Sequence, residues 1–339
     1  MFSFLLSAPT APFVTSTGRD GLIGLAPMEG VIDATTRRLL CERGGIDWTV
    51  TEFVRVVDQP LPPRVFHRIC PELSQRSRTA DDTPVQLQLL GSDPHAMAAN
   101  AGVAVECGAT ALDINFGCPA KTVNRHGGGA SMLRTPDAIF AVVRAVCQAV
   151  PNTPISAKLR LGFEDRQQAF RCVDAAVCGG ARWLTLHART RQQGYRPPAH
   201  WEWIERLRQQ AGIPTVANGD IWTLDDYWQA RALSGCSHVM LGRGLLSDPL
   251  LARRIRHWQR TGERLPATPW RERAAILHDF AASLKERLPE NVVLSLLKQW
   301  LNIMRQSDEE TAARFVHLRS QHQVKSLLAA LEQPGDTLG

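Results

Sequence analysis

The sequence contains no run of about 18 apolar residues, which excludes a membrane-spanning helix. Its eight cysteines, at 41, 70, 107, 118, 147, 172, 178 and 236, form no C-x-x-C pair. They are too few and too irregularly spaced for a disulfide scaffold, so the expected setting is a reducing cytoplasm. The opening MFSFLLSAPTAPF has no basic flank and only a five-residue apolar run, so residues 1–20 read as a flexible extension and not as a signal peptide. The 25 glycines and 21 prolines are scattered, which rules out a collagen-like or low-complexity chain. With 44% hydrophobic and 21% charged residues among 339, the chain can bury a sizeable core. Lysine is nearly missing: five residues against 34 arginines, and only Lys121 and Lys158 precede residue 250. A lysine where arginine is the habit hints at a need for a compact point charge.

The net charge of +6 is unevenly spread. Residues 251–264 carry five arginines against one glutamate, and the last 75 residues are neutral. A basic connector of this kind suits contact with a polyanion, and a solvated helix face would look the same by charge alone.

Eight short apolar runs recur at 22–26, 48–53, 85–90, 111–115, 155–159, 183–187, 215–217 and 238–241. Amphipathic stretches at 34–43, 94–107, 136–150, 167–178, 201–211 and 224–233 lie between most of them. Strands alternating with helices imply parallel pairing, and eight units in about 230 residues is the count of an α/β (β/α)8 TIM barrel. An open doubly wound sheet is the alternative, weakened because no G-x-G-x-x-G follows the first strand. Between Phe53 and Pro84 no clean helix is expected: the stretch holds Pro60, Pro62 and Pro63 and then a series of arginines. After residue 250 the alternation stops. The expected organisation is a barrel over 21–250, a connector at 251–264, and a small all-α domain at 265–339 with helices at 269–288, 292–304, 309–319 and 324–331.

In a parallel barrel the reactive groups lie past the carboxyl ends of the strands. There the first strand offers Pro27, Met28 and Glu29 in a tight turn. The third offers Gln88, with Gln86 on the same face, as either a ligand for a heteroaromatic ring or a satisfied core amide. The fourth ends in Asn115, followed by Cys118 in a polar, glycine-rich loop where a thiol could donate a proton. Lys158 and His187 follow on strands five and six. Asn218-Gly219-Asp220 and Gly242-Arg243 end strands seven and eight, the usual place for a phosphate held by backbone N–H groups. The set suits a flavin mononucleotide across the barrel mouth with an acid facing its reactive edge.

The segments LAPMEGVID, TEFVRVVDQ, VQLQLLGSDP, DINFGCPAKTVNRHGGGASML, AKLRLGF, LHARTRQQGY, VANGDIW and VMLGRGLLSDP, together spanning residues 25–249, resemble bacterial tRNA-dihydrouridine synthases. FVRVVDQ, FHRICPEL and KQWL look most like the C class, which acts on uridine 16 of the D-loop. The resemblance covers residues 22 to about 331 and not the first 20; Phe116 stands where relatives often have Cys. It implies an FMN barrel with a helical RNA-binding domain, FMN reduced by NADPH, hydride passed from the flavin to carbon 6 of uracil, and Cys118 protonating carbon 5. On it, Pro27, Met28, Glu29, Gln88, Lys158, His187, Asn218, Gly219, Asp220, Gly242 and Arg243 match FMN positions, and Asn115 would hold the uracil. Arg55, Tyr195, Lys298, Trp300, Arg305 and Arg319 match tRNA contacts. The implied partners are tRNA and NADPH, with no metal, no membrane, and a monomer. Three rivals differ in class: a small-molecule FMN oxidoreductase of the dihydroorotate dehydrogenase type, a Schiff-base aldolase using Lys158, and a non-catalytic tRNA binder.

Overall fold

The computed structural model describes residues 21–120 and 127–333. The expected N-terminal extension, Lys121 and His126 lie outside the described residues. Eight strands, β1 (Ile23–Leu25), β2 (Trp48–Arg55), β3 (Val85–Leu90), β4 (Leu112–Asn115), β5 (Ile155–Arg160), β6 (Trp183–His187), β7 (Thr215–Asn218) and β8 (His238–Leu241), form a closed barrel in chain order. Every pairing is parallel, and Gly24↔Met240 is part of the closing register between β1 and β8. The expected (β/α)8 fold is therefore present. Most strand residues are buried on both faces, as a barrel filled inside and covered by helices requires.

Three of the covering helices are opened by a side-chain cap. In α1 (Ala34–Glu42), Asp33 accepts the Thr36 N–H at 2.8 Å. The crossover after β2 departs from expectation: it contains α2 (Pro63–Ile69) and a 3-10 helix at Pro71–Gln75. The prolines that suggested irregular chain stand at the helix start, where the missing N–H costs nothing and the fixed φ is already helical. In α3 (Pro94–Glu106) an aspartate cap recurs, with Asp93 accepting from Ala96 N at 2.7 Å. The remaining barrel helices are α4 (Pro136–Ala149), α5 (Gln168–Gly179), α6 (Trp201–Ala211) and α7 (Leu224–Ser234), the last opened by a reciprocal Thr223–Asp226 box.

Past β8 come α8 (Arg243–Ser247), α9 (Leu251–Thr261), α10 (Trp270–Lys285), α11 (Glu290–Met304), α12 (Glu309–Ser320) and α13 (Val324–Leu331). The apolar residues at 3–4 spacing in the sequence, Ile276, Leu277, Phe280, Ala281 and Leu284 on α10 and Leu297, Trp300, Leu301 and Met304 on α11, are all buried. They join the outer layer of the barrel in one continuous apolar core. The basic connector is largely α9, and three of its five arginines are paired: Arg254 with Asp248, Arg256 with Asp47, and Arg264 with Asp225 at 2.7 Å. Much of its charge thus fastens the helix to the barrel.

The crossover after β2 is pinned by one buried ion pair. Arg37 of α1 is fully buried and grips Glu72 with Nε at 3.1 Å and Nη2 at 2.9 Å to both carboxylate oxygens. It also donates to the Ile32 and Ile69 carbonyls. Removing one partner strands the other charge. Glu72→Ala should therefore destabilise the fold by about 3–5 kcal/mol, read as a lower urea midpoint at unchanged slope. A midpoint within error of the native one would contradict this.

Candidate active site

A cavity of about 420 Å³ opens at the carboxyl ends of the strands, within the roughly 300–1,000 Å³ typical of small-molecule and cofactor sites. Its wall collects Pro27, Met28 and Glu29 after β1, Gln88 on β3, Asn115 and Cys118 after β4, and Lys158 on β5. His187 and Tyr195 come from β6 and its loop, Asn218, Gly219 and Asp220 from β7, and Gly242 and Arg243 from β8. Residues spread over more than 200 positions thus meet in one chamber.

One side of the chamber is backed by glycine. Gly219 has φ +113°, and a Cβ there would meet the His187 ring at 3.4 Å. Asp220 follows at φ +51°, a left-handed conformation uncommon outside glycine. Its carboxylate is gripped by buried Arg189 and by Arg243 at 3.2 Å. The Arg243 guanidinium also lies over the rings of Trp222 (4.6 Å) and Tyr195 (5.1 Å). Bare backbone beside an arginine is what an anionic phosphate group needs.

The floor is polar and charged. Lys158 donates from Nζ to Asn218 Oδ1 at 3.1 Å. Burial and neighbouring Arg160 pull its pKa down, against the opposing pull of Asp113. Burial, followed by Arg160, Lys158, Arg189 and Arg243, holds His187 well below its ordinary value, so its ring is neutral near pH 7. Gln88 is both things the sequence left open. It lines the cavity, and its amide is bonded to Asp113 and to Asn115.

Cys118 sits in a loop tied down on several sides. Asn115 Oδ1 accepts from Gly117 N at 2.8 Å and Cys118 N at 2.9 Å; Arg160 Nε donates to Gly117 O at 2.7 Å; Ala130 N donates to Cys118 O at 3.1 Å. Burial, chiefly, raises the thiol pKa, so Cys118 carries its proton at neutral pH. A protonated thiol facing a cavity can act as a general acid.

Five of the sequence-derived residues lie elsewhere. Arg55 is exposed at the end of β2. Lys298 and Arg319 share a surface groove between α11 and α12, next to Gly30. Arg305 is exposed, with its guanidinium 4.3 Å from the Phe315 ring. Trp300 is buried, edge-on to Phe280, with its indole N–H donated to Leu246 O at 2.8 Å.

The cavity also holds residues that the sequence reading passed over. Arg160 stands two positions after Lys158, so the period of two that pointed Lys158 inward also pointed it there. Glu52 and Phe53 are adjacent in sequence, yet both line the wall. A register shift between Val50 and Phe53 breaks the alternation, and the Thr51 hydroxyl accepts the Gln88 N–H at 3.0 Å. Nothing in the sequence announces that bulge.

The family model described as "Dihydrouridine synthase (Dus)" matches residues 24–334. The chain belongs to the dihydrouridine synthase family. Among its relatives, the tRNA-dihydrouridine(16) synthase of Aquipseudomonas alcaligenes is 46% identical over 298 residues, covering 88% of this chain and 94% of that one. Proteins of the same name from Escherichia coli (strain K12), at 44% over 87% and 92%, and Neisseria meningitidis serogroup B, at 41% over 92% and 95%, are similar along nearly their whole lengths. No described helix is long and apolar enough to cross a membrane.

The neutral His187 has a measurable consequence. Its folded pKa is lowered, so the unfolded chain binds the extra proton first as pH falls through the ordinary 6.5. The His187 contribution to stability is therefore present above that value and declines below it. In nitrogen-15 spectra of histidine-labelled protein, the His187 ring should stay neutral well below pH 6.5. Titration of that ring near its ordinary value would refute the assignment.

Proposed function

We propose that the protein is a flavin-dependent tRNA-dihydrouridine synthase that reduces the carbon 5–carbon 6 double bond of uridine at position 16 of the tRNA D-loop, with FMN bound and NADPH as reductant. The observation that carries the reading is Cys118: a protonated thiol on a loop whose backbone is held by Asn115 and Arg160, facing a cavity whose opposite side is a glycine-backed cradle with Arg243.

The residues present fit FMN. Arg243 with the Gly219 and Gly242 backbone would hold its phosphate; Gln88, Lys158 and His187 would meet the polar edge of its ring system; Pro27 and Met28 supply an apolar wall. When bound, the flavin supplies the hydride. The chain supplies the rest. Cys118 keeps its proton until carbon 5 of the uracil needs it, because burial disfavours the thiolate. Lys158, Arg160 and neutral His187 line the same space and can hydrogen-bond a uracil or flavin carbonyl. Asn115 fixes the loop that presents the thiol. A uridine in a folded D-loop must leave its stack to reach this chamber.

Lys298, half-buried on α11, and exposed Arg305 and Arg319, with Arg55 and Tyr195 at the rim, would meet the tRNA backbone. Such contacts orient the RNA, since the cavity reads only one base. Curated relatives named for position 16 support the choice of uridine. The same relatives leave the Schiff-base aldolase and dihydroorotate-type readings without support.

Cys118→Ala should keep the flavin and its reduction by NADPH, and lose about 100- to 10,000-fold in dihydrouridine formation. Near-native modification by that variant would sink the assignment. Arg243→Ala should weaken FMN retention by roughly 1.5–3 kcal/mol, seen as flavin lost on gel filtration. Replacing Lys298 and Arg305 by Ala should flatten the salt dependence of tRNA binding by a log–log slope of roughly 0.7–0.9 per contact, leaving flavin reduction untouched. Dihydrouridine mapped to another D-loop position would leave the reaction standing and refute the position.

A further inference from the structure

We propose that Asp113 is the positioning residue of the Cys118 loop: an obligate acceptor that dictates which way two successive amides point, and so places the thiol. Asp113 lies on β4, inside the barrel below the cavity, and is 2% exposed. It does not line the chamber. Its Oδ2 accepts from Gln88 Nε2 at 2.7 Å. That leaves Gln88 Oε1 facing outward, where it accepts from Asn115 Nδ2 at 2.8 Å. Asn115 Oδ1 is then aimed at the loop and accepts from the backbone N–H groups of Gly117 and Cys118 at 2.8 and 2.9 Å.

The polarity of this chain has one solution. Burial pushes the Asp113 pKa up to about 6, so at neutral pH it is a carboxylate, which can only accept, while two backbone N–H groups can only donate. Between these fixed ends, each amide must turn its NH2 toward Asp113 and its oxygen toward Cys118. If Gln88 flipped, its oxygen would face the carboxylate and its NH2 would face the NH2 of Asn115; Asn115 could then satisfy Gln88 only by pointing its own NH2 at two N–H donors. The inner end is anchored as well. Ser156 donates to Asp113 Oδ1, and Gln86 Nε2 donates to Ser156 Oγ and to Leu112 O, both at 2.8 Å. A neutral amide at position 113 can present its NH2 to Gln88 as readily as its oxygen, so the inner end no longer enforces the direction and only the two backbone N–H groups at the outer end still do.

The proposal deepens the reading of Cys118 as the acid, and its first readout stands apart from that reading. In Asp113→Asn, alkylation of Cys118 by iodoacetamide, followed on its own peptide by mass spectrometry, should accelerate roughly fivefold, the scale of one hydrogen bond's net contribution. Exposed Cys178 serves as the internal control and should not change. The decisive variant is the double Asp113→Asn with Gln88→Glu. There the amide introduced at position 113 donates to an acceptor-only carboxylate at position 88. That carboxylate still accepts from Asn115, and the outward polarity returns. The double variant should bring the Cys118 rate back to within about twofold of native, whereas a merely structural loss at 113 would not be repaired by a second change. In turnover, Asp113→Asn should lower kcat for dihydrouridine formation by about the same factor with KM for tRNA unchanged. A native Cys118 rate in Asp113→Asn, or no recovery in the double variant, overturns the proposal. A changed Cys118 rate with native turnover supports the relay and counts instead against Cys118 as the acid. Should Asp113→Asn not fold, the double variant decides alone: folded with a native Cys118 rate supports the relay, and unfolded or fast overturns it.

Discussion

The mouth of the barrel is organised around one buried guanidinium. Arg160 ends β5, and β5 lies between β4 and β6, so its side chain reaches the loops that follow both neighbours. It donates to Gly117 O on one side and to Gly194 O at 2.9 Å and Thr190 O at 3.4 Å on the other. Its guanidinium also lies 5.2 Å from the Tyr195 ring centroid. A lysine could not do this, because a compact ammonium lacks the planar fork that serves carbonyls in divergent directions. Without the fork, buried carbonyls on two loops would lose their donor at about 1–3 kcal/mol each. The loop that carries Cys118 and the loop that carries Tyr195 are fixed relative to each other through this residue.

Charge balance around that guanidinium sets the chemistry of the groups nearby. Lys158, Arg160, Arg189 and Arg243 crowd one side of the barrel, with Asp113 and Asp220 facing them. Four cations and burial leave no room for a fifth positive charge, so His187 remains neutral and keeps both a donor and an acceptor. Asp220 holds two of the arginines from a left-handed backbone conformation. Such strain persists where the surroundings over-determine it, which a doubly gripped carboxylate does.

How far the sequence carried the reading follows from which signals are local. Hydrophobic runs and caps are local, and all eight strands and the helices expected from them fall within a few residues of their expected bounds. Barrel topology then puts strand-end residues together, so Cys118, Lys158, His187 and Arg243 could be named from the sequence. The short helix at Pro63–Ile69 was hidden because prolines that start a helix look like prolines that prevent one. Glu52 and Phe53 were hidden by a bulge, which depends on how β2 and β3 register. Charge alone left the role of the basic connector open, and its partners Asp47, Asp225 and Asp248 are distant or unremarkable in sequence. Trp300 carried two signals, the KQWL resemblance and the 3–4 apolar spacing with Leu297, Leu301 and Met304, and its packing on Phe280 follows the second.

The burial of Trp300 points to a different use for that helix. Selecting one uridine among several requires that the surface meeting the RNA and the chamber meeting the base keep a fixed relation. Hydrogen bonds that include the following three make that joint. Trp300 donates to Leu246 O at 2.8 Å, Ser247 Oγ donates to Met304 O at 3.0 Å, and Arg243 Nη1 donates to Gln306 Oε1 at 3.1 Å. All three run between α11, or the turn after it, and the segment just past β8, which is also the segment that carries Gly242 and Arg243 into the cavity. On the proposed reading, Arg243 would both hold the flavin phosphate and help to orient the helices for tRNA. Lys298 and Arg305 are then placed by a ruler whose zero is the cofactor cradle, and a shift of α11 along the barrel rim would move the accepted uridine without altering the reaction.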